Sequence, residues 1–343
     1  MRRRLIKDAL IKYTCGGFAA SVPLFLVAVL LVMLVFALPS ILFNGWHFFW
    51  SIPWNVGNLY SGATITHNGV IAPKGAQYGM LVFLVGTLLT SLVALVIAIP
   101  LSLGAALFLS EIAPKRVSAV IGSLVELLSG VPSVVFGLWG VEVVAPLVRS
   151  DIGPFLDRFL GFIPIFRGPV GTGVGLLSSG IVLAAMIIPI ITAVSRDVLK
   201  NVPWDLREQG IAMGITRWEL IRTIVLPYGR SGITGAVALG LGRALGETMA
   251  VLMVSGSAVN YLPRNIYSPV GTMAANIVAL LDSAMTDPTG MAIHALAEIA
   301  LVLFVVTLVV NLLVPIVARG MVRISSILPA SAAGGTSGTG RSR

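Results

Sequence analysis

Charge is scarce in this chain of 343 residues: 11% of positions are Asp, Glu, Lys or Arg, against 57% hydrophobic. With a mean hydropathy of +0.97, an ordinary soluble domain is excluded. From Gly75 to Ser110 there is no charged residue, a stretch longer than one bilayer crossing needs. Cysteine is nearly absent. Cys15 stands alone and cannot form an intrachain disulfide, and Lys12-Tyr13-Thr14 before it lacks the apolar and small residues expected ahead of a lipidated cysteine. No G-x4-G-K-[ST] stretch occurs, so the chain cannot cradle nucleotide phosphates as a P-loop does. The histidines, His47, His67 and His294, are scattered and show no metal-ligand spacing, and no serine sits in G-x-S-x-G. An enzyme has no residues to stand on here, and no cofactor or metal is expected on this chain. If ATP drives this protein, a separate subunit hydrolyses it.

What is abundant is apolar sequence in long runs. Six transmembrane helices are predicted near 19–43, 79–109, 118–148, 174–195, 232–258 and 292–318, in an all-α polytopic membrane protein. The first follows Arg2, Arg3, Arg4, Lys7 and Lys12, and its apolar run shows no small-residue cleavage signal, which points to a retained anchor. Placing both termini in the cytoplasm puts 17 of the 23 basic residues inside. They lie at the N-terminus, at Lys115 and Arg116, between 196 and 230, and in the C-terminal tail. That asymmetry predicts an N-in, C-in orientation, with outside loops near 44–78, 149–173 and 259–291. The pI near 10.2 therefore reflects membrane orientation, and no basic–aromatic patch supports nucleic-acid binding. Trp46, Trp50 and Trp54 fit an interfacial aromatic belt. Three segments are expected: a cytoplasmic stretch 1–18, a membrane domain 19–325 and a disordered cytoplasmic tail 326–343, rich in Gly, Ser, Thr and Ala.

Between two apolar spans, within a loop of about 196–230, charges gather: Asp205-Leu206-Arg207-Glu208-Gln209-Gly210-Ile211-Ala212-Met213-Gly214, then Ile224-Val225-Leu226-Pro227. Asp205 and Glu208 read as an N-cap/N3 pair, Gly214 as a left-handed helix stop, and Thr216 with Glu219 as a second capping box. A short helix, a sharp turn and a second helix are expected against the membrane, a hairpin suited to docking a soluble partner. Its spacing resembles the cytoplasmic loop of ABC importer permeases, E-A-A-x3-G-x9-I-x-L-P, at Glu208, Gly214, Ile224, Leu226 and Pro227. Gln209 and Gly210 stand where that pattern has alanines. The resemblance implies that this short helix seats in a groove of an ATPase.

Two intramembrane irregularities stand out. Gly240-Leu241-Gly242-Arg243-Ala244-Leu245-Gly246-Glu247 puts Arg243 and Glu247 four apart on one helix face, beside a small-residue stripe of Gly235, Gly242 and Gly246. Arg243 is expected close to midplane, where its charge should face protein or water. Glu126-Leu127-Leu128-Ser129-Gly130-Val131-Pro132-Ser133 should kink or break the third span, leaving a half-helix N-terminus that welcomes an anion. Glu126 is expected at a depth similar to Arg243, as its partner. The candidate substrate path is then Arg243, Glu247, Glu126, Ser129 and Ser133. Pro100 and Pro189 read as ordinary kinks, while Glu142, Glu298 and His294 lie toward the outer leaflet without an assigned role.

Gly86-Thr87-Leu88-Leu89-Thr90-Ser91, Leu109-Ser110-Glu111-Ile112-Ala113-Pro114, Ser129–Gly140 and Gly242–Val251 together resemble the permease subunits of phosphate ABC importers of the PstC type. That resemblance implies a type I importer permease (MetI-like) fold with a cytoplasmic coupling helix, in the cell membrane of a prokaryote. It implies as partners a second permease of the PstA type, an ATPase dimer holding ATP and Mg, an extracytoplasmic phosphate-binding protein and membrane lipid. A permease for molybdate or sulfate, an ion-coupled secondary transporter with Arg243, Glu247 and Glu126 as its relay, and a membrane scaffold or sensor stay open as alternatives.

Overall fold

The computed structural model describes residues 2–58 and 62–327. The chain runs through α1 (Arg2–Asn44), a hairpin of β1 (Thr64–His67) and β2 (Val70–Pro73), α2 (Leu81–Ile112), α3 (Lys115–Ser129) and α4 (Ser133–Leu160). It continues through α5 (Leu176–Lys200), α6 (Trp204–Ala212), α7 (Arg217–Leu245), α8 (Met249–Val254), α9 (Met273–Met285) and α10 (Met291–Ile327). Of these, α1, α2, α4, α5, α7 and α10 are long and apolar enough to cross a membrane. The expected six spans are present, but the third begins later than predicted and the fifth ends earlier.

The third boundary moves because Gly130-Val131-Pro132 breaks the chain into two elements. Pro132 has no amide to donate, and residues 115–129 form a separate amphipathic helix, α3. Its Ser118 and Gly122 are buried, whereas Val117, Val120, Leu124, Leu127 and Leu128 face outward. The fifth boundary moves because α7 stops at Leu245 and helix resumes only at Met249. Pro100 and Pro189 lie inside continuous helices, as expected.

The centre of the molecule is the pairing of α2 with α5. Ala94 and Ala98 meet Leu183, Ala184, Ile187 and Ile191, and Ala236 and Ala244 of α7 complete the cluster. Alanines on one side let the backbones approach until Ser102 Oγ donates to the Ile188 carbonyl at 3.2 Å. Hydroxyls inside the apolar layer also bond their own helix, Thr87 to the Phe83 carbonyl at 2.7 Å and Thr90 to that of Gly86 at 2.8 Å. A second stripe, Gly229, Gly232 and Gly240, lies against Val198, Leu199 and Ile191 of α5. The predicted stripe is not the packed one. Gly235 meets nothing, and Gly242 meets the Asn311 side chain of α10.

The most peripheral span is α1: 11% of its apolar window is buried, and Phe18, Val22, Leu24 and Phe25 point outward. It leans on α10, where His294 Nδ1 lies 2.8 Å from the Phe36 carbonyl and Glu298 is buried beside Ser40. At its end sits a lobe of residues 45–80. Asn68 and Gly69, both with positive φ, turn the β-hairpin, as a two-residue loop requires. The hairpin tip covers the last carbonyls of α1: Asn68 Nδ2 donates to that of Leu42 at 2.8 Å, and His67 Nδ1 is 2.6 Å from that of Phe43. Trp46 and Trp50 are exposed, as a belt requires. Trp54 is instead buried in this lobe against Tyr78 and Phe83. The expected disordered tail falls outside the described residues beyond 327.

Candidate functional site

The charged hairpin of residues 204–227 forms as two short helical elements around a glycine turn. Pro203, with φ −53° and ψ 136°, stands at the N-cap, two residues before the predicted Asp205 cap. Asp205 instead lies in the first turn, where a carboxylate complements the helix dipole. Glu208 accepts a hydrogen bond from Trp204 Nε1 at 2.7 Å and caps no backbone. The stop is as expected: Gly214 has φ +77°, and its amide donates to the Ile211 carbonyl at 2.9 Å. Thr216 and Glu219 make both bonds of a capping box at the start of α7.

Gly210 explains how tightly the two arms close. A Cβ there would lie 2.7 Å from Ile224, 2.8 Å from Leu220 and 3.0 Å from Ile215, so even the alanine of the family pattern would crowd this turn. Ile224 sits directly beneath α6, and Leu226 packs into the cluster of Ala106, Leu199, Val202 and Val225. Pro227 follows a π-helical turn, Ile221–Val225, which accommodates the missing amide. On the outer side of the hairpin Trp204 is 64% exposed, Trp218 65% and Met213 83%, with Ile211 beside them. Trp204, Ile211 and Trp218 lie around a cavity of about 520 Å³ whose walls include Glu111, Arg207 and Arg217. A large apolar patch outside the spans marks an interaction surface.

One arginine fastens the hairpin to the spans, and a second, on α5, holds α3. Arg207 bonds Glu111 at 2.5 Å and the carbonyls of Leu199 and Val202 at 2.8 and 3.4 Å. Both charged side chains are buried, 11% and 7% exposed. Arg196 bonds Glu126 at 2.8 Å and Asp197 at 2.9 Å. Glu126 is thus a partner of Arg196 near the C-terminal end of α5, not of Arg243, because the break after α3 takes it off the third span. Neither pair was legible in sequence, since the partners lie 96 and 70 residues apart.

The helices that follow the two interruptions meet. A Cβ on Gly137 would lie 3.1 Å from the Ala250 Cα, and one on Gly140 would lie 2.8 Å from Val254, so α4 and α8 run side by side in the same direction. Ser133 opens α4 one turn before Gly137, and Gly246 to Thr248 link α7 to α8. Arg243 stands in the last turn of α7. Its neighbour Gly240 abuts Ile187 and Ile191, the middle of the 25-residue α5.

Arg243 and Glu247 do not share a face. The helix ends between them at Gly246, with φ −93° and ψ 0°, and resumes only at Met249. Among the described residues no ion pair joins them; Glu247 Oε1 instead accepts the Ala250 amide at 3.4 Å, at the start of α8. Arg243 is exposed, on an open face it shares with Gly235 and Leu239. Ser133 is half-buried at the break, while Ser129 stays on α3, donating to the Glu126 carbonyl. Of the five predicted path residues, Arg243 and Glu247 flank the gap between α7 and α8, Ser133 opens α4, which runs beside α8, and Glu126 and Ser129 stay on α3.

Residues 98–323 match the family described as binding-protein-dependent transport system inner membrane component. Over 312 residues the chain is 49% identical to the phosphate transport system permease protein PstC 1 of Mycobacterium tuberculosis, covering 90% of this chain and 91% of that one. It is 38% identical to the PstC of Pasteurella multocida, covering 89% of each chain. Among solved structures, an inward-facing MetNI methionine ABC transporter matches with TM-score 0.46 at 19% identity, covering 70% of this chain and 92% of that one.

Proposed function

Because the chain belongs to the binding-protein-dependent transport system inner membrane components, we propose that it is the membrane-spanning permease of an ATP-driven importer that moves inorganic phosphate into the cytoplasm. The observation that carries this reading is 49% identity, over nine tenths of both chains, to permeases named for phosphate transport. In this reading the chain works with an ATPase and a substrate-binding protein. The ATPase holds ATP and Mg, and this chain hydrolyses nothing.

Its own residues divide the work. Asp205, Glu208 and the exposed Trp204, Met213 and Trp218 present α6 to the ATPase, while Gly210, Gly214, Ile224, Leu226 and Pro227 keep the hairpin compact. Arg243 supplies the positive potential that a phosphate with one to two negative charges needs to pass an apolar layer. Its planar donor fork suits an oxyanion. The amides at the start of α4 add to that potential. Glu247 opposes a tight anion trap and so helps release. The open face of Gly235, Leu239 and Arg243 meets a second, PstA-type permease, so that the path lies between two chains. Both termini face the cytoplasm, where most of the Lys and Arg residues then lie.

Reconstitution of the four-component complex in liposomes tests this. ATP-dependent, orthovanadate-sensitive uptake of radiolabelled phosphate is expected, with molybdate and sulfate competing poorly. Uptake that persists without the ATPase would defeat the assignment in favour of an ion-coupled transporter.

A further inference from the structure

Arg207 is engaged on three sides at once. Its guanidinium bonds Glu111 in the π-helical turn that ends α2, the Leu199 carbonyl in the last turn of α5 and, more loosely, the Val202 carbonyl just beyond. The side chain itself rises from the middle of α6. A single buried group therefore ties the cytoplasmic helix to the ends of the two spans that form the centre of the molecule. Across the corner from α2, a second arginine repeats the grip: Arg196 of α5 holds Glu126 on α3, and Gly122 of α3 abuts the same guanidinium. The segment 108–129 is thus held at both ends, and it leads within four residues to the break before α4. An Arg–carboxylate pair with carbonyl contacts is directional, so α6 cannot shift without drawing on Glu111.

We propose that Arg207 is a positioning residue for transport: through Glu111 and the α5 carbonyls it delivers displacement of α6 to α2 and α5, and α3 carries it on to the break at Gly130–Pro132. This rests on the reading of α6 as the surface that meets the ATPase. Docking and transmission are separable in the structure. Docking falls to Trp204, Ile211, Met213 and Trp218, which point outward. Transmission falls to Arg207 and Glu111, which point inward and are buried.

The test uses the complete complex in liposomes, with two readouts: ATPase retained per permease after purification, and phosphate taken up per ATP hydrolysed. Arg207→Ala is expected to retain the ATPase at native stoichiometry while phosphate per ATP falls about tenfold or more, within the range of a 1–3 kcal/mol coupling. Arg207→Lys can reach Glu111 but not both carbonyls, so partial recovery is expected. If Arg207→Ala does not accumulate in the membrane, Glu111→Gln, which keeps the side-chain shape, decides on the same two readouts. Native ATPase retention with a native phosphate-to-ATP ratio overturns the proposal. So does loss of the ATPase from both variants, which would make the pair part of docking. Trp218→Ala combined with Met213→Asp checks the underlying reading separately. If that double variant keeps both the ATPase and coupled uptake, α6 is not the docking surface, whatever Arg207 does.

Discussion

A guanidinium level with the middle of a membrane span costs on the order of 3 kcal/mol on insertion scales, and among the described residues this one has no carboxylate partner. In the proposed function Arg243 is answered by water, by a neighbouring subunit or by the anion in transit. Arg243→Ala is expected to leave insertion and assembly normal and to abolish phosphate uptake, with Arg243→Lys restoring only part of it. A subunit count on the purified complex beside an uptake assay checks both halves. Because Glu247 is turned to the α8 amides, the exchange Arg243→Glu with Glu247→Arg should restore nothing. Native uptake by that exchange variant would show that the two behave as a pair after all. The i, i+4 spacing suggested such a pair in the sequence. What it could not reveal was Gly246 ending the helix between them, since hydropathy runs on through the gap and no proline marks it.

At the scale of elements, α6 depends on two glycines for different reasons. Gly214 occupies the left-handed region, where a β-branched side chain is strained by roughly 1–2 kcal/mol or more. Gly214→Val is expected to weaken ATPase association or coupled hydrolysis while the chain still inserts, as co-purification and an ATPase assay would register. Gly210 has an ordinary backbone but no room, and Gly210→Leu should push α6 off α7 at about 1–3 kcal/mol by overpacking. Its signature is earlier thermal release of the ATPase from the detergent-solubilised complex; an unchanged release temperature would refute the packing argument. Most of this hairpin was legible in the chain: the glycine stop, the capping box and the gathering of charge all have local causes. The spans were legible for the same reason, as runs of apolar residues. What escaped was set by distant partners. Whether helix resumes in line after Pro132, or turns away as α3 does, depends on Arg196 and Gly122 meeting across the fold. The start of the third span was misplaced accordingly.

At the scale of the whole molecule, the lobe of residues 45–80 and the helix α9 gather at one end, around Phe48, Trp54, Met80, Met273 and Met291. The hairpin of α6 and α7 lies at the other. Positive-inside counting places the first outside the cell and the second within. In a background lacking the exposed Cys15, Thr66→Cys should react with an impermeant maleimide added to intact cells, and Glu208→Cys should not. Thr66 is preferred to its neighbour Asn68, whose positive φ and bond to Leu42 make it a poor site for cysteine. Labelling of Glu208→Cys from outside would reverse the topology. The gap after Gly246 has a mechanical meaning. Helix ends at Leu245 and resumes at Met249, so the fifth span is two rods joined by a short link, whereas α2 and α5 run unbroken beside it. The unbroken pair is a mast and the broken span a boom hinged against it, with Arg243 on the last turn before the joint.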